Sequence, residues 1–204
     1  MLKLYYAPGA CSLAAHIVLE ESGEKYDVQR VDLAKGEQRT EAYLKIHPQG
    51  RVPALLLDSG ESITENTAIL PYLGKRFGLW PRDPLAETRA LSLIGLFAAS
   101  VHPAHAHISR PERYASDAAH FANIQETGRQ AFHGYLKQID GMLQGRQWLS
   151  DQYSVLDPYA LTFYAWGLRR ELPLQDLENY RAFKDRMLAR PAVARVLIEE
   201  KVKV

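Results

Sequence analysis

The sequence contains a single cysteine, Cys11, among its 204 residues. One cysteine cannot form an intramolecular disulfide, whereas small secreted domains usually depend on several such bonds. A disulfide-stabilised secreted fold is therefore excluded. We expect a cytoplasmic protein in which Cys11 stays reduced.

The sequence also lacks an excess of charge and a long apolar run. Its 25 Lys and Arg residues nearly balance its 24 Asp and Glu residues, which excludes a nucleic-acid binder that depends on a large positive charge. The longest apolar runs, residues 52–57 and 93–99, are far shorter than the roughly 20 residues of a membrane-spanning helix. The apolar N-terminal run stops at Pro8-Gly9, too early for the apolar core of a signal peptide. We therefore expect neither a membrane nor a nucleic acid as partner.

Residues 1–78 alternate short apolar runs with helical patterns. Apolar runs bounded by turn residues predict strands, at 2–6, 26–31, 52–57 and from Ser62. Apolar residues three and four positions apart predict helices, at 12–22, 40–46 and 67–77. The resulting order, βαβαββα, predicts an α/β sheet covered by helices.

Residues 79–87 contain two prolines and show no apolar periodicity. We interpret this segment as a linker between a domain at 1–78 and a domain at 88–204. The second domain is predicted to be all-helical, because apolar residues recur three and four apart through most of it. Its helices are predicted around 90–101 and at 118–143, 155–169, 181–189 and 191–201.

Cys11 is the first candidate for chemistry, because it follows a predicted strand and opens a predicted helix. Unpaired N–H groups and the positive end of the helix dipole favour thiolate over thiol at such a position. The position therefore predicts a reactive cysteine with a lowered pKa. The alternative is a small buried hydrophobic residue, the commonest role of a free cysteine.

Two further segments carry features of a binding site. Pro53 stands inside an apolar run, where proline removes a hydrogen-bond donor from a strand. A cis bond before Pro53 would leave the backbone of Val52 free to pair with an extended peptide. The polar residues 62–67 precede a helix whose first N–H groups can hold a carboxylate. The structural alternatives are an ordinary edge strand beginning at Ala54 and ordinary helix capping.

The remaining motifs are interpreted as structural. Ser154 to Asp157 form a capping box, with Asp in place of Glu or Gln, at the start of a buried helix. Three neighbouring histidines lack the cysteine or carboxylate partners of a metal site, so no metal is expected. They are His102, His105 and His107. Two pairs of basic residues are interpreted as solvated surface, namely Arg110 with Arg113 and Arg169 with Arg170.

Together these pieces resemble the glutathione transferases, and most closely the bacterial beta class, which carries an active-site cysteine. The similarity covers essentially the whole chain. Four segments carry it, namely LYYAPGACSL at 4–13, HPQGRVPAL at 47–55, TENTAI at 64–69 and the helix-capping motif SVLD at 154–157. The resemblance implies a thioredoxin-like α/β domain followed by an all-helical domain, glutathione as co-substrate, and a homodimer.

The resemblance also implies roles for individual residues. Cys11 and His102 would be catalytic, with His102 tuning the reactive sulfur. The residues that would bind glutathione are Cys11, Lys35, Val52, Pro53, Glu65 and Asn66. The hydroxyl groups that would instead stabilise the glutathione thiol are those of Tyr6 and Ser12. A small hydrophobic electrophile would enter a cleft of the helical domain, where the candidates are His105, Tyr114, Phe121, Tyr164 and Trp166.

The implied function is conjugation of glutathione to small electrophiles, together with Cys11-dependent thiol–disulfide exchange. Because there is no second cysteine, a Cys11–glutathione disulfide must be released by another glutathione. The chain departs from the beta-class pattern at Gly95, in place of an asparagine, at Pro103, in place of a lysine, and at Asn66, in place of a serine or glycine. Two alternatives follow, a non-catalytic glutathione-binding or regulatory protein and a specialised glutathione-dependent dehalogenase, reductase or lyase.

Overall fold

The N-terminal part of the chain forms a mixed four-stranded sheet. The computed structural model describes residues 1–204. The strands are β1 (Leu2–Tyr6), β2 (Tyr26–Arg30), β3 (Ala54–Leu56) and β4 (Ser62–Thr64), and the helices are α1 (Ser12–Ser22), α2 (Glu41–Leu44) and α3 (Asn66–Phe77). The strand order is β2-β1-β3-β4, with β1 parallel to β2, and with β3 antiparallel to both β1 and β4. The predicted order of elements is confirmed.

Apolar side chains pack on both faces of the sheet. Successive residues of β1 point to opposite sides, so neighbouring residues of this strand enter two different clusters. Leu4 is fully buried in the main core with Leu13 of α1. It pairs with Leu55 of β3 across the sheet. Tyr5 points the other way, into a smaller apolar cluster that includes Tyr43 of α2. Burial of each large apolar side chain stabilises the fold by about 1.5–3 kcal/mol.

The rest of the chain is helical, as predicted. Its helices are α4 (Pro84–Leu96), α5 (His102–Ser109), α6 (Phe121–Met142), α7 (Leu156–Arg169), α8 (Glu178–Leu188) and α9 (Pro191–Glu200). Helix α4 begins at Pro84, inside the predicted linker, because proline suits the first turn of a helix and the Asp83 carboxylate accepts the Ala86 N–H at 2.9 Å. We therefore propose that the domain boundary lies within residues 79–83.

A π-helical turn, Phe97–Val101, joins α4 to α5. Pro103 has no N–H to donate, so the helical hydrogen-bond ladder is interrupted where this turn ends. The continuous helical run Pro84–Ser109 is 26 residues long and, by length and composition alone, apolar enough to cross a membrane. The short apolar runs in the sequence did not predict a helical run of this length and apolar composition. In the fold the run packs against α6 and α7.

Helix α7 forms the centre of the helical domain, and its first twelve residues are all buried. The predicted capping box holds its start. The Asp157 carboxylate accepts the Ser154 N–H at 2.8 Å and the Leu149 N–H at 3.0 Å, and the Ser154 hydroxyl accepts the Leu156 N–H at 3.3 Å. The capping box thereby fixes the helix whose far end reaches the cleft described next.

Candidate functional site

A cleft of about 690 Å³ lies between the loops of the sheet domain and helices α5 and α7. We refer to it as the interdomain cleft. Six of the nine residues predicted to be catalytic, to bind glutathione or to stabilise its thiol line it, namely Cys11, Val52, Pro53, Glu65, Asn66 and His102. A larger cavity of about 900 Å³, beside the linker, contains none of them. The residues with candidate chemistry thus converge on the smaller cleft.

Cys11 precedes the first residue of α1 and is partly exposed. Its Sγ donates to the Val52 carbonyl oxygen at 3.3 Å. Burial raises the pKa of the Cys11 thiol to about 12, and the nearby Glu65 carboxylate acts in the same direction. The predicted lowering of this pKa is therefore wrong for the ligand-free protein, because burial outweighs the helix N-terminus. At neutral pH the thiol is a hydrogen-bond donor.

The backbone at Val52 is open to the cleft. The bond between Val52 and Pro53 is cis, one of the two arrangements that the position of Pro53 allowed. The Val52 N–H donates to no protein acceptor. Strand β3 begins at Ala54, but it lies between β1 and β4, so it is not an edge strand. An extended peptide can therefore pair with Val52 just before the sheet begins.

Glu65 and Asn66 place polar groups beside Cys11. Glu65 has a φ of 69°, a strained value for a residue other than glycine that is often retained at functional sites. Its side chain makes no capping hydrogen bond. The buried Asn66 donates from Nδ2 to the Cys11 carbonyl at 2.9 Å, and its Oδ1 has no partner. Asn66 thereby fixes the backbone at Cys11 from the start of α3, at the wall of the cleft.

His102, the first residue of α5, faces the same cleft. Its ring lies 4.9 Å from that of Trp166, edge to face. Burial lowers the pKa of His102 to about 4, and the charge of Arg110 acts in the same direction. The imidazole is therefore neutral at pH 7 and carries a free acceptor nitrogen.

The two hydroxyl candidates, Tyr6 and Ser12, do not line the cleft. Tyr6 points to the α1 side of the sheet, where its ring lies 5.2 Å from that of His16. The period of two along β1 requires this, since Tyr5 faces the other side. The buried Ser12 hydroxyl accepts the Ala7 N–H and donates to the Ala7 carbonyl, both at 3.2 Å.

Lys35 also lies off the cleft. Its side chain is 78% exposed, and its Nζ lies 3.7 Å from a carboxylate oxygen of Asp32. The structure therefore does not bring Lys35 together with the other predicted ligands.

The loop before Cys11 is held by two groups of the helical domain that sequence reasoning missed. The Trp166 Nε1–H donates to the Gly9 carbonyl at 2.9 Å. The Gly9 N–H donates to Glu200 Oε2 at 2.8 Å, and the other oxygen of this buried carboxylate lies 2.8 Å from His16 Nδ1. Gly9 has a φ of 65°, and a Cβ there would collide with the guanidinium of Arg169. The position therefore requires glycine.

The first 75 residues match the family model described as the glutathione S-transferase N-terminal domain. Over 208 aligned positions the chain is 33% identical to glutathione S-transferase GstA of Escherichia coli O157:H7, covering 99% of this chain and 100% of that protein. The chain belongs to the glutathione S-transferase family.

Solved glutathione transferases agree with this placement. A glutathione transferase homologue from Sulfitobacter, determined with bound glutathione, has a TM-score of 0.92 and 32% identity over 98% of both chains. The bacterial beta-class glutathione S-transferase of Sphingomonas chungbukensis has a TM-score of 0.85 and 33% identity, over 97% of this chain and 98% of that one. The predicted thioredoxin-like domain followed by a helical domain is confirmed, and beta-class enzymes are among the structural neighbours of this family member.

In this glutathione S-transferase the arginines predicted to be solvated line the interdomain cleft. The four are Arg110, Arg113, Arg169 and Arg170, and Arg51 joins them. None of the five forms a salt bridge. Arg113 and Arg169 are exposed and Arg110 and Arg170 are half-buried, so these side chains stay in contact with solvent while they line the cleft. The sequence did not indicate the cleft, because these residues lie at the ends of helices or in loops, where no periodicity shows which way a side chain faces.

Aromatic side chains form the wall of the cleft on the helical side. Of the candidates for this wall, His105, Tyr114 and Trp166 line the cleft, and Phe121 and Tyr164 do not. Sequence reasoning missed Tyr159, which is 1% exposed and also lines it. Among the departures from the beta-class pattern, Pro103 lines the cleft and Gly95 does not.

The three neighbouring histidines make separate contacts and do not converge on one point. The His105 ring stacks on Trp166 at 4.2 Å, and its Nε2 accepts from Arg170 Nε at 3.3 Å. His107 packs on Tyr114 at 3.9 Å. The structure contains no group of three or more His, Cys, Asp or Glu side chains positioned to hold a metal ion.

Proposed function

We propose that this protein conjugates glutathione to small electrophiles in the interdomain cleft. The observation that supports it best is the convergence of the Cys11 thiol, the open Val52 backbone and the Glu65 and Asn66 side chains on one cleft. The Val52 backbone would pair with the cysteinyl part of glutathione. The Glu65 carboxylate would accept from the glutamyl ammonium group, and Asn66 with the first N–H groups of α3 would receive its carboxylate. The Sulfitobacter relative holds glutathione.

In this proposal the Cys11 thiol stabilises the glutathione sulfur as an anion. Its pKa of about 12 keeps the proton on Cys11, so Sγ can exchange the Val52 carbonyl for the glutathione sulfur as acceptor. His102 is neutral and offers an acceptor for the proton that leaves glutathione. The glutathione sulfur then forms a bond to the electrophilic carbon, and the leaving group departs with its bonding electrons.

A second activity, thiol–disulfide exchange, is favoured by the partly exposed position of Cys11 in the cleft. The Cys11 thiolate would attack glutathione disulfide, breaking its S–S bond and releasing one glutathione thiolate. A second glutathione thiolate would then attack the mixed disulfide and release Cys11. Because the thiolate fraction of Cys11 is small, this activity should be slower at neutral pH than conjugation.

Two variants of Cys11 separate these roles. Intact mass is measured after incubation with glutathione disulfide, and conjugation is assayed with 1-chloro-2,4-dinitrobenzene. We expect the wild type to gain one glutathione that reduced glutathione removes. Cys11→Ala should lose this adduct and part of the conjugation rate, whereas Cys11→Ser, which keeps a hydroxyl donor, should recover conjugation without the adduct.

Equal loss of both activities in the alanine and serine variants would contradict the separation of roles. Glutathione binding without turnover of any electrophile would instead indicate the non-catalytic alternative.

We also propose that the protein is a cytoplasmic homodimer. The exposed faces of α4 support the dimer, because Leu85 and Leu91 are 57% and 47% exposed in the single chain. Large apolar side chains exposed on a helix become buried when a second chain packs against that helix. The single free cysteine supports a reducing compartment.

A further inference from the structure

Five arginine side chains line the interdomain cleft with little negative charge to balance them. The acidic residues among its lining are Glu65 and Glu112. Neither forms a salt bridge with an arginine. Arg110 and Arg113 donate no side-chain hydrogen bond to the protein. A cleft with this charge distribution attracts anions.

Arg110 and Arg113 lie close to the reactive centre. Arg110 ends α5, and Arg113 ends the short 3-10 helix that follows. The charge of Arg110 acts on both the Cys11 thiol and the His102 imidazole. Burial lowers the pKa of the Arg113 guanidinium, and the neighbouring Arg110 acts in the same direction. The two arginines are therefore close enough to repel each other, and an anion between them would relieve this repulsion.

A favourable interaction with a helix dipole explains the position of Arg110 but not that of Arg113. Arg110 lies at the C-terminus of α5, where a cation is favourable. Arg113 lies beyond that helix, in a three-residue 3-10 turn whose dipole is small, and it is exposed to the cleft. Its guanidinium has no protein partner, so all of its donors are free to bind a molecule in the cleft.

We propose that the acceptor substrate of this cleft is an aromatic electrophile that carries a carboxylate. This inference rests on the proposed function. The glutathione peptide would occupy the side formed by Val52 and Asn66, which leaves Arg110 and Arg113 to the second substrate. Guanidinium groups bind carboxylates through paired, charge-assisted hydrogen bonds. The rings of Trp166 and other aromatic residues would pack against the body of the electrophile.

The compound 4-chloro-3-nitrobenzoate is a suitable probe, because its amide, 4-chloro-3-nitrobenzamide, has the same shape without the charge. With either compound the glutathione sulfur forms a bond to the ring carbon that carries chlorine. The carbon–chlorine bond breaks, chloride leaves with the bonding electrons, and the thiol proton passes to His102 and from there to solvent. No oxidant or reductant is needed.

The test compares kcat/KM for both probes in three proteins, at saturating glutathione. They are the wild type, the double variant Arg110→Gln/Arg113→Gln, and the control Arg82→Gln, whose arginine is exposed on the linker outside the cleft. The double variant should lose about tenfold or more with the benzoate, equivalent to about 1.4 kcal/mol. The effect of Arg110 on Cys11 and His102 is shared by both probes. The test is therefore the ratio of kcat/KM for benzoate to that for benzamide, which should fall about tenfold in the double variant, while its KM for glutathione should stay the same. The control should match the wild type with both probes.

A second readout covers the case in which neither probe is turned over. Calorimetry compares binding of the product S-(4-carboxy-2-nitrophenyl)glutathione with binding of its carboxamide. Tighter binding of the carboxylate by the wild type, lost in the double variant, supports the proposal. Equal binding of both products by the wild type overturns it.

Two kinetic results would also overturn it. One is an equal loss of kcat/KM with benzoate and benzamide, and the other is a rise in the KM for glutathione equal to the loss with benzoate. The proposed function fails separately, when the wild type turns over neither the benzamide nor 1-chloro-2,4-dinitrobenzene.

Discussion

Replacing Glu200 by alanine tests whether the helical domain fixes the loop that carries Cys11. Glu200 is 2% exposed, and its two carboxylate oxygens lie 2.8 Å from the Gly9 N and from His16 Nδ1. Alanine removes both acceptors and leaves two buried polar groups without partners. The neighbouring Glu199 provides a matched control, since its side chain is 48% exposed and lies 3.8 Å from His16.

The magnitude follows from the number of groups left unpaired. Each buried polar group left without a partner costs about 1–3 kcal/mol, and the substitution leaves two of them. We therefore expect Glu200→Ala to lower the free energy of unfolding by about 4 kcal/mol. For a chain of this length, about 2–4 °C of Tm is lost per kcal/mol, so Tm should fall by about 8–16 °C. Glu199→Ala should cost less than about 0.5 kcal/mol.

Urea and thermal unfolding of both variants measure this difference directly. Because Gly9 lies two residues before Cys11, the kcat for conjugation by Glu200→Ala should also fall at temperatures where the variant is fully folded. A Glu200→Ala protein within about 1 kcal/mol of Glu199→Ala would refute the reasoning. Unchanged kcat in a destabilised variant would show that the contact holds the fold and not the site.

Two further predictions concern Cys11 and the proposed dimer. Burial raises the pKa of Cys11 to about 12, so the rate of alkylation by iodoacetamide should rise about tenfold per pH unit up to pH 10. A plateau below pH 9 would contradict the raised pKa, and Glu65→Gln should speed the reaction because that carboxylate disfavours the thiolate. In light scattering the protein should have about twice the mass of one chain. Leu91→Asp, which places a charge on the exposed face of α4, should give monomers, and a monomeric wild type would refute the dimer.

The fold was largely predictable because its signals are local. The bounds predicted for β1 and α1 agree with the structure, since turn residues stand on either side of each apolar pattern. The start of α4 was missed, because Pro84 indicates both a linker and the first turn of a helix. Asp83 favours the helix, because its carboxylate accepts the Ala86 N–H. This hydrogen bond exists only once the helix has formed, so it could not be predicted from Pro84 alone.

The site was predictable where motifs carry it, and not where distant segments meet. Cys11, Val52 and Asn66 belong to segments with recognisable patterns, and all three line the cleft. No pattern links Gly9 to Trp166 and Glu200, because these residues are 157 and 191 positions away along the chain. The raised pKa of Cys11 has the same origin, since burial depends on the packing of both domains.

Both the carbonyl and the N–H of Gly9 are hydrogen-bonded to the helical domain, and this constrains which domains of related proteins can replace either domain of this one. The sheet domain supplies Cys11, yet the peptide groups of the preceding loop are oriented by an indole in α7 and a carboxylate in α9. A chimera that joins this sheet domain to another helical domain would retain a working cleft only if the new domain presented both groups at the same places. The two domains must therefore be exchanged, or evolve, as a matched pair.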